Sequence, residues 1–110
     1  MKRDDVYLRH ILDAISVIEK FVHNVHEETF RKNRLIQDAV IRELEIIGGA
    51  TKYVGESLKK KHPEIPWKEV GGMRDKLIHE YFGVDISLVW EVVQKDLPEL
   101  KRKILTITRP

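Results

Sequence analysis

The sequence predicts an all-α fold, an up-and-down helical bundle of four main helices, with Pro98 either kinking the last helix or starting a short fifth. Three observations carry this. Apolar residues recur at steps of three and four over long stretches, the period of a half-buried helix. Strand-like alternation is not sustained anywhere outside residues 104–108, and there the helical spacing also continues. Proline, glycine and aspartate punctuate the chain where helices begin or end. At 110 residues the chain reads as one domain, 1–110, with no internal repeat and no low-complexity segment.

The first helix is expected over about Asp4 to Asn24. Tyr7, Ile11, Ala14, Ile15, Ile18, Phe21 and Val22 form its apolar stripe, and Asp4 and Asp5 sit where acids favour a helix start. Residues 25–33 read as a solvated loop or a loose first turn. A long second helix is expected from Arg34 to about Lys61. It has two adjoining seams. Ile36, Ala39, Val40, Ile47, Val54 and Leu58 mark one; Leu35, Ile46, Ala50 and Tyr53 mark the other. A stripe that wide suits a central helix touched from two sides. Gly48-Gly49 marks either a kink or a close approach by another helix. His62-Pro63 ends this helix, Pro66-Trp67 opens the next, and the two prolines stiffen the connector. Trp67 reads as a core plug at the bundle end, with base stacking as the alternative role. Gly71-Gly72 loosens the third helix, so that it begins in earnest only near Gly72. Asp85 is the expected cap of the fourth helix. Ile86, Val89, Trp90, Val93, Leu97, Leu100, Ile104 and Ile107 then make the longest stripe in the chain. Asp96 and Glu99 have the spacing of a capping box. The basic tail at 101–103 and Arg109 reads as frayed, or as facing a polyanion.

Composition removes several classes. There is no cysteine, so disulfides and thiolate zinc sites are excluded, which suits a cytoplasmic protein. Twenty Lys and Arg against 18 Asp and Glu leave a net charge of +2, so any nucleic-acid contact has to come from local patches. No secretory leader and no membrane span are read, because no apolar run approaches the length a span needs. His10 reads as a surface residue. His23 and His26 lie three apart but lack a third ligand, and no cofactor or metal is expected. The run Lys59, Lys60, Lys61 with His62 is either a solvated helix end or a phosphate contact. No phosphate-cradling glycine loop is present, and Ser16, Ser57 and Ser87 have no visible base.

The chemistry concentrates in residues 66–83, PWKEVGGMRDKLIHEYFG. Met73, Leu77 and Ile78 give the third helix its apolar side, and Arg74, Asp75, His79 and Tyr81 crowd its end. Arg74 carries a permanent fork of donors that matches phosphate oxygens. His79 is the side chain whose reference pKa lies closest to neutrality, so it can take and give a proton. Asp75 precedes His79 by four and shares its helical face, where it could orient the imidazole. Glu80 is a solvated neighbour. Arg74 and His79 are five residues apart, roughly 140° around one helix axis. A second copy across a two-fold axis would aim them at one phosphate better than a single helix does. Histidine as acid and base and arginine as charge stabiliser suit RNA cleavage through the 2′-hydroxyl. A histidine capping the helix ahead of Gly83 accounts for the same letters.

The run Arg74, four residues, His79, Glu80, Tyr81 resembles the signature of the HEPN superfamily, and specifically of its HepT-like group. YLRHIL at 7–12, DAVIRELEIIG at 38–48, PEIPW at 63–67, GMRDKLIHEYFGVD at 72–85 and DLPEL at 96–100 extend the resemblance over nearly the whole chain. The resemblance implies a homodimer in which Arg74 and His79 of both subunits face a shared cleft. It implies a metal-independent endoribonuclease, the toxin of a toxin–antitoxin pair. The implied partner is a minimal nucleotidyltransferase antitoxin, which transfers AMP to the motif tyrosine, here Tyr81, and so places bulk and negative charge in the cleft. The chain departs from the pattern at one place: relatives usually read Gly-Glu-Ala where it has Gly48-Gly49-Ala50. The alternative function is a non-catalytic homodimer that serves a nucleotidyltransferase as its partner or nucleotide-binding subunit.

Overall fold

The computed structural model describes residues 2–78 and 85–108, the side chains of Lys2, Arg74 and Ile78 aside. All regular structure among them is helical: α1 (Lys2–Val22), α2 (Glu27–Lys32), α3 (Arg34–Tyr53), α4 (Glu56–Lys61), α5 (Trp67–Ile78), α6 (Ile86–Glu91), a π-helical segment (Val92–Asp96) and α7 (Leu97–Thr108). The four long elements are α1, α3, α5 and the continuous α6–π–α7 rod, as expected. None of the described helices is long and apolar enough to cross a membrane.

α1 and α3 lie antiparallel and form the backbone of the bundle, with α5 packed on the other flank of α3 and α7 on α1. Leu8, Ile11, Ala14, Ile15 and Ile18 of α1 interlock with Val40, Leu44 and Ile47 of α3, all buried. Burying each of the leucines, isoleucines and valines among them is worth about 1.5–3 kcal/mol relative to exposure. Leu8 takes the core position expected of Tyr7, which is half-buried, and Phe21 lies at the surface. α1 also runs shorter at its end than expected. Asn24 has a φ of 59°, a left-handed conformation that asparagine tolerates, and this turns the chain toward α2.

Residues 27–32, expected as part of a loop, form α2. The i,i+4 pairs Arg31–Glu27 (2.7 Å) and Lys32–Glu28 (3.3 Å) support it. Its one buried side chain, Phe30, meets the ring of Trp90 at 5.0 Å. Buried Gln37 then donates to the carbonyls of Phe30 (2.8 Å), which also accepts from the Asn33 amide, and Arg31 (3.0 Å), at the end of this short helix. Asn33 caps α3 by accepting from the Ile36 amide at 3.0 Å.

The expected helix from Arg34 to Lys61 is two helices. The chain passes Gly48-Gly49 in regular α-helix, so there is no break there, and it opens instead at Val54 and Gly55, both extended. Asp4, buried at the start of α1, accepts from the Gly55 amide at 2.9 Å. A Cβ on residue 55 would sit 3.3 Å from that carboxylate oxygen, so glycine lets the amide come this close. The ends of the second seam also depart from expectation: Leu35 is 80% exposed and Tyr53 64%.

Asp85 caps α6 as expected, accepting from Leu88 N at 3.1 Å. Helix is continuous through Pro98, so the proline does not start a separate helix after a break. The π turn ahead of it, with the Leu97 amide bonded to the Val92 carbonyl, widens the backbone where the ring would otherwise meet the carbonyl four residues back. Asp96 therefore caps nothing, and Glu99 pairs with Lys103 at 3.2 Å. The tail is ordered helix to Thr108 rather than frayed. Lys101 bonds Glu19 of α1 at 3.0 Å, and Lys103 donates to the Glu64 carbonyl at 2.8 Å. Arg109 lies outside the described residues.

Candidate functional site

The candidate site is α5 with the elements that hold it. α5 starts at Trp67 and runs through Gly71-Gly72, earlier than expected, because the tryptophan fastens its first turn. The indole is 9% exposed, and its Nε1–H donates to the His62 carbonyl at 2.9 Å. That is the core plug. The connector behind it is held too: His62 Nδ1 lies 3.2 Å from a Glu64 carboxylate oxygen, and Lys103 holds the Glu64 carbonyl. A hydrogen bond from its own backbone keeps the Glu64 carboxyl below its ordinary 4.5 against an opposing desolvation, with lesser help from His62 and Lys103.

On the α3 side, Gly71 sits close to its neighbour: a Cβ there would lie 3.5 Å from Lys52 Cγ and 3.8 Å from Thr51 Cγ2, ordinary contact distances. Arg74 follows one turn later, its backbone in α5. Asp75, the supporting carboxylate expected from the sequence, is half-exposed, with Oδ2 3.9 Å from Lys52 Nζ. Between two solvated side chains such a pair positions more than it stabilises. His79 and Tyr81, and Glu80 between them, lie outside the described residues.

Two grooves follow α5. One, of about 640 Å³, lies where α4 meets the helix start and is lined by Lys52, Lys59, Trp67, Lys68, Glu69 and Gly71. The other, of about 600 Å³, separates α5 from the α6–π–α7 rod. Its walls include Val70, Met73, Leu77, Leu88, Val92 and Leu97, with Lys76 and Lys103 also in its lining. The first presents ammonium groups suited to a polyanion. Lys59, expected as part of a solvated run or a phosphate contact, turns into this groove, with Glu56 3.9 Å away. Lys52 is the residue that sequence reasoning missed; only the packing of α3 on α5 brings it to Asp75. One turn before it, Gly49 leaves room, since a Cβ there would meet nothing within 4 Å. Among the described residues, no group of three His, Asp or Glu could hold a metal ion.

Comparison with known proteins gives a consistent picture. The family model described as Ribonuclease HepT-like matches residues 11–107. A protein of Thermococcus cleftensis named "Probable ribonuclease HepT" is 50% identical over 97 residues, covering 88% of each chain. A protein of Caldanaerobacter subterraneus subsp. tengcongensis, whose name proposes an RNase, is 43% identical over 107 residues, covering 97% of this chain and 96% of its own. A Methanocaldococcus jannaschii protein, whose name joins a gamma-glutamylcyclotransferase to a proposed RNase, is 49% identical over 108 residues. This chain spans 49% of that longer protein. No solved structure matches significantly.

Proposed function

This chain belongs to the ribonuclease HepT-like family, and we propose that it is a metal-independent endoribonuclease in which Arg74 and His79 carry the chemistry. The observation that carries the proposal is the Arg74–His79–Tyr81 run of the sequence, whose Arg74 belongs to a helix fastened at its start by Trp67 and flanked there by a lysine-lined groove.

In this reading, the RNA backbone lies along α5 with a phosphate at the Arg74 guanidinium. The His79 imidazole takes the proton of the neighbouring 2′-hydroxyl. The 2′-oxygen bonds to phosphorus, the bond from phosphorus to the 5′-oxygen breaks, and a proton is returned to the departing oxygen. The products are a 2′,3′-cyclic phosphate and a 5′-hydroxyl. Arg74 offsets the charge that builds on the phosphorane oxygens, and Asp75 supports the imidazole. DNA lacks the attacking group and is spared. The enzyme acts as a toxin. A minimal nucleotidyltransferase antitoxin silences it by moving AMP to Tyr81, with the phenolic oxygen bonding to the α-phosphorus of ATP and pyrophosphate leaving.

The test is cleavage of a defined RNA by purified protein in EDTA, with product ends analysed, beside Arg74→Ala and His79→Ala. Wild-type cutting to cyclic-phosphate ends that is lost in both variants supports the proposal. Uncut RNA with folded wild-type protein overturns it. That outcome would favour the second reading, a non-catalytic partner of a nucleotidyltransferase, to which Gly49 points by leaving an open space where relatives usually carry a carboxylate.

A further inference from the structure

We propose that the groove between α4 and the start of α5 is a phosphate subsite, in which Lys59 and Lys68 grip the backbone of single-stranded RNA on one side of the cut. Three helices bring one lysine each to this groove: Lys52 from α3, Lys59 from α4 and Lys68 from α5. They stand seven and nine residues apart in the sequence, so the fold assembles the set. Lys59 is the informative member. It belongs to a run of three lysines, of which Lys60 and Lys61 are exposed. Its own side chain is only 18% exposed, although its partner Glu56 lies 3.9 Å away and is 81% exposed. A solvated pair that long contributes little, so the ammonium can pass to a stronger anion. The same holds for Lys52, 3.9 Å from half-exposed Asp75. Three lysines against the carboxylates of Glu56 and Glu69 leave the lining positive. A phosphate oxygen there would replace a distant carboxylate with a direct charge-assisted hydrogen bond.

The groove continues the face of α5 to which Arg74 belongs. Lys68, Gly71 and Asp75 follow at steps of three and four and share that face, with Arg74 next to Asp75. From Lys68 to Arg74 the helix rises six residues, about 9 Å. Gly71 leaves the midpoint without a side chain, where α5 lies against Lys52. A strand with one phosphate at Arg74 therefore carries its next phosphates past Lys52 to Lys59 and Lys68. This place on the strand rests on the proposed ribonuclease reading; the affinity of the groove for phosphates does not.

The subsite holds the backbone and is indifferent to the bases. The Trp67 ring in its wall is buried, and its N–H is taken by the His62 carbonyl, so it offers no stacking face. Lysine meets phosphate as a point charge, and such contacts position a strand without reading its sequence. The wall is also set before RNA arrives. The Trp67 bond and the bond from Lys103 to the Glu64 carbonyl fix the connector between α4 and α5, which spares the ordering cost of binding.

Fluorescence anisotropy of labelled single-stranded 2′-O-methyl RNA tests it on the full chain, because that probe has no attacking hydroxyl and is bound without being cut. Lys59→Gln, Lys68→Gln and the double variant are compared with Lys60→Gln, which removes the same charge from the same short helix outside the groove. Circular dichroism checks that each is folded, and the single variants carry the test if the double one is not. The slope of log affinity against log salt should shrink by about 0.7 for each groove lysine replaced, about 1.4 in the double variant. The loss should be alike for oligo-A, oligo-U and oligo-C, and Lys60→Gln should keep the wild-type slope. On cleavable RNA the loss should fall on KM rather than kcat, since the subsite holds ground state and transition state equally. A wild type that does not bind the probe overturns the proposal. So do groove variants that bind as wild type does, a Lys60→Gln loss as large as theirs, and a loss confined to one base. Cutting by the wild type is scored separately. Binding through the groove lysines without cutting keeps the subsite and removes the ribonuclease reading; cutting with binding unchanged in the variants does the reverse.

Discussion

Replacing Trp67 separates the two roles a tryptophan at the start of α5 can have, core anchor or base-stacking surface. The structure supports the anchor, with the ring 9% exposed and its N–H bonded to the His62 carbonyl at 2.9 Å. Trp67→Phe keeps most of the apolar bulk and removes that bond, so it is expected to cost about 1–2 kcal/mol. Trp67→Ala removes the bulk as well and is expected to cost about 3–5 kcal/mol. A domain of this size shifts its melting temperature by roughly 4–6 °C per kcal/mol. The phenylalanine variant should therefore melt about 4–12 °C lower, and the alanine variant about 12–30 °C lower. The assay is a thermal melt followed at 222 nm with protein concentration held fixed, because association would move the midpoint. Below its melting range, the phenylalanine variant should bind and cut RNA as wild type does. The reasoning is refuted if Trp67→Phe melts with wild type yet binds single-stranded RNA more weakly, the signature of a stacking residue.

Gln37→Ala should destabilise by about 1–3 kcal/mol, because it removes two side-chain hydrogen bonds at the end of α2, leaving the Phe30 carbonyl only the Asn33 amide; urea titration measures it, and loss of the Phe30–Trp90 contact should show in tryptophan fluorescence. Gly49→Ala should gain roughly 0.5–1 kcal/mol, since the position is mid-helix and its Cβ would meet nothing; an unchanged or lowered urea midpoint would contradict it. Glu64 is held below 4.5 in the folded chain. A depressed carboxyl contributes stability above its unfolded pKa and loses it as pH falls through the folded value. Wild type should therefore lose stability relative to Glu64→Gln only as the pH drops below about 4.5, which acid titration of the two unfolding midpoints would show.

What could be read in the sequence was what depends on near neighbours. Asp85 caps the helix three residues ahead of the amide it accepts from. The apolar stripes of α1 and of the last rod show in their spacing, and the proline pair marks the connector before Trp67. What could not be read was decided from afar. The break at Val54-Gly55 is held by Asp4, 51 residues away in sequence. α2 has a single buried side chain, too few for a periodic signal, and stands because Gln37 of another helix satisfies its end. Two glycine pairs looked like interruptions, yet helix passes through both, since packing outweighs about 1 kcal/mol of propensity per glycine. At the site, the motif letters were plain, whereas Lys52 beside Asp75 depends on how α3 lies on α5.

The wide turn at Val92–Asp96 keeps the two halves of the last rod in phase. Val89, Val93 and Leu97 are all buried and follow one another at steps of four. A regular helix advances 100° per residue, so two such steps would swing Leu97 roughly 80° away from the line of Val89. The slower winding takes up that difference. Trp90 can then meet Phe30 at one end while Leu100 and Ile104 stay under α1 at the other. Winding the same residues as a regular α-helix would leave their composition unchanged and would rotate one half of the rod roughly 80° out of the bundle.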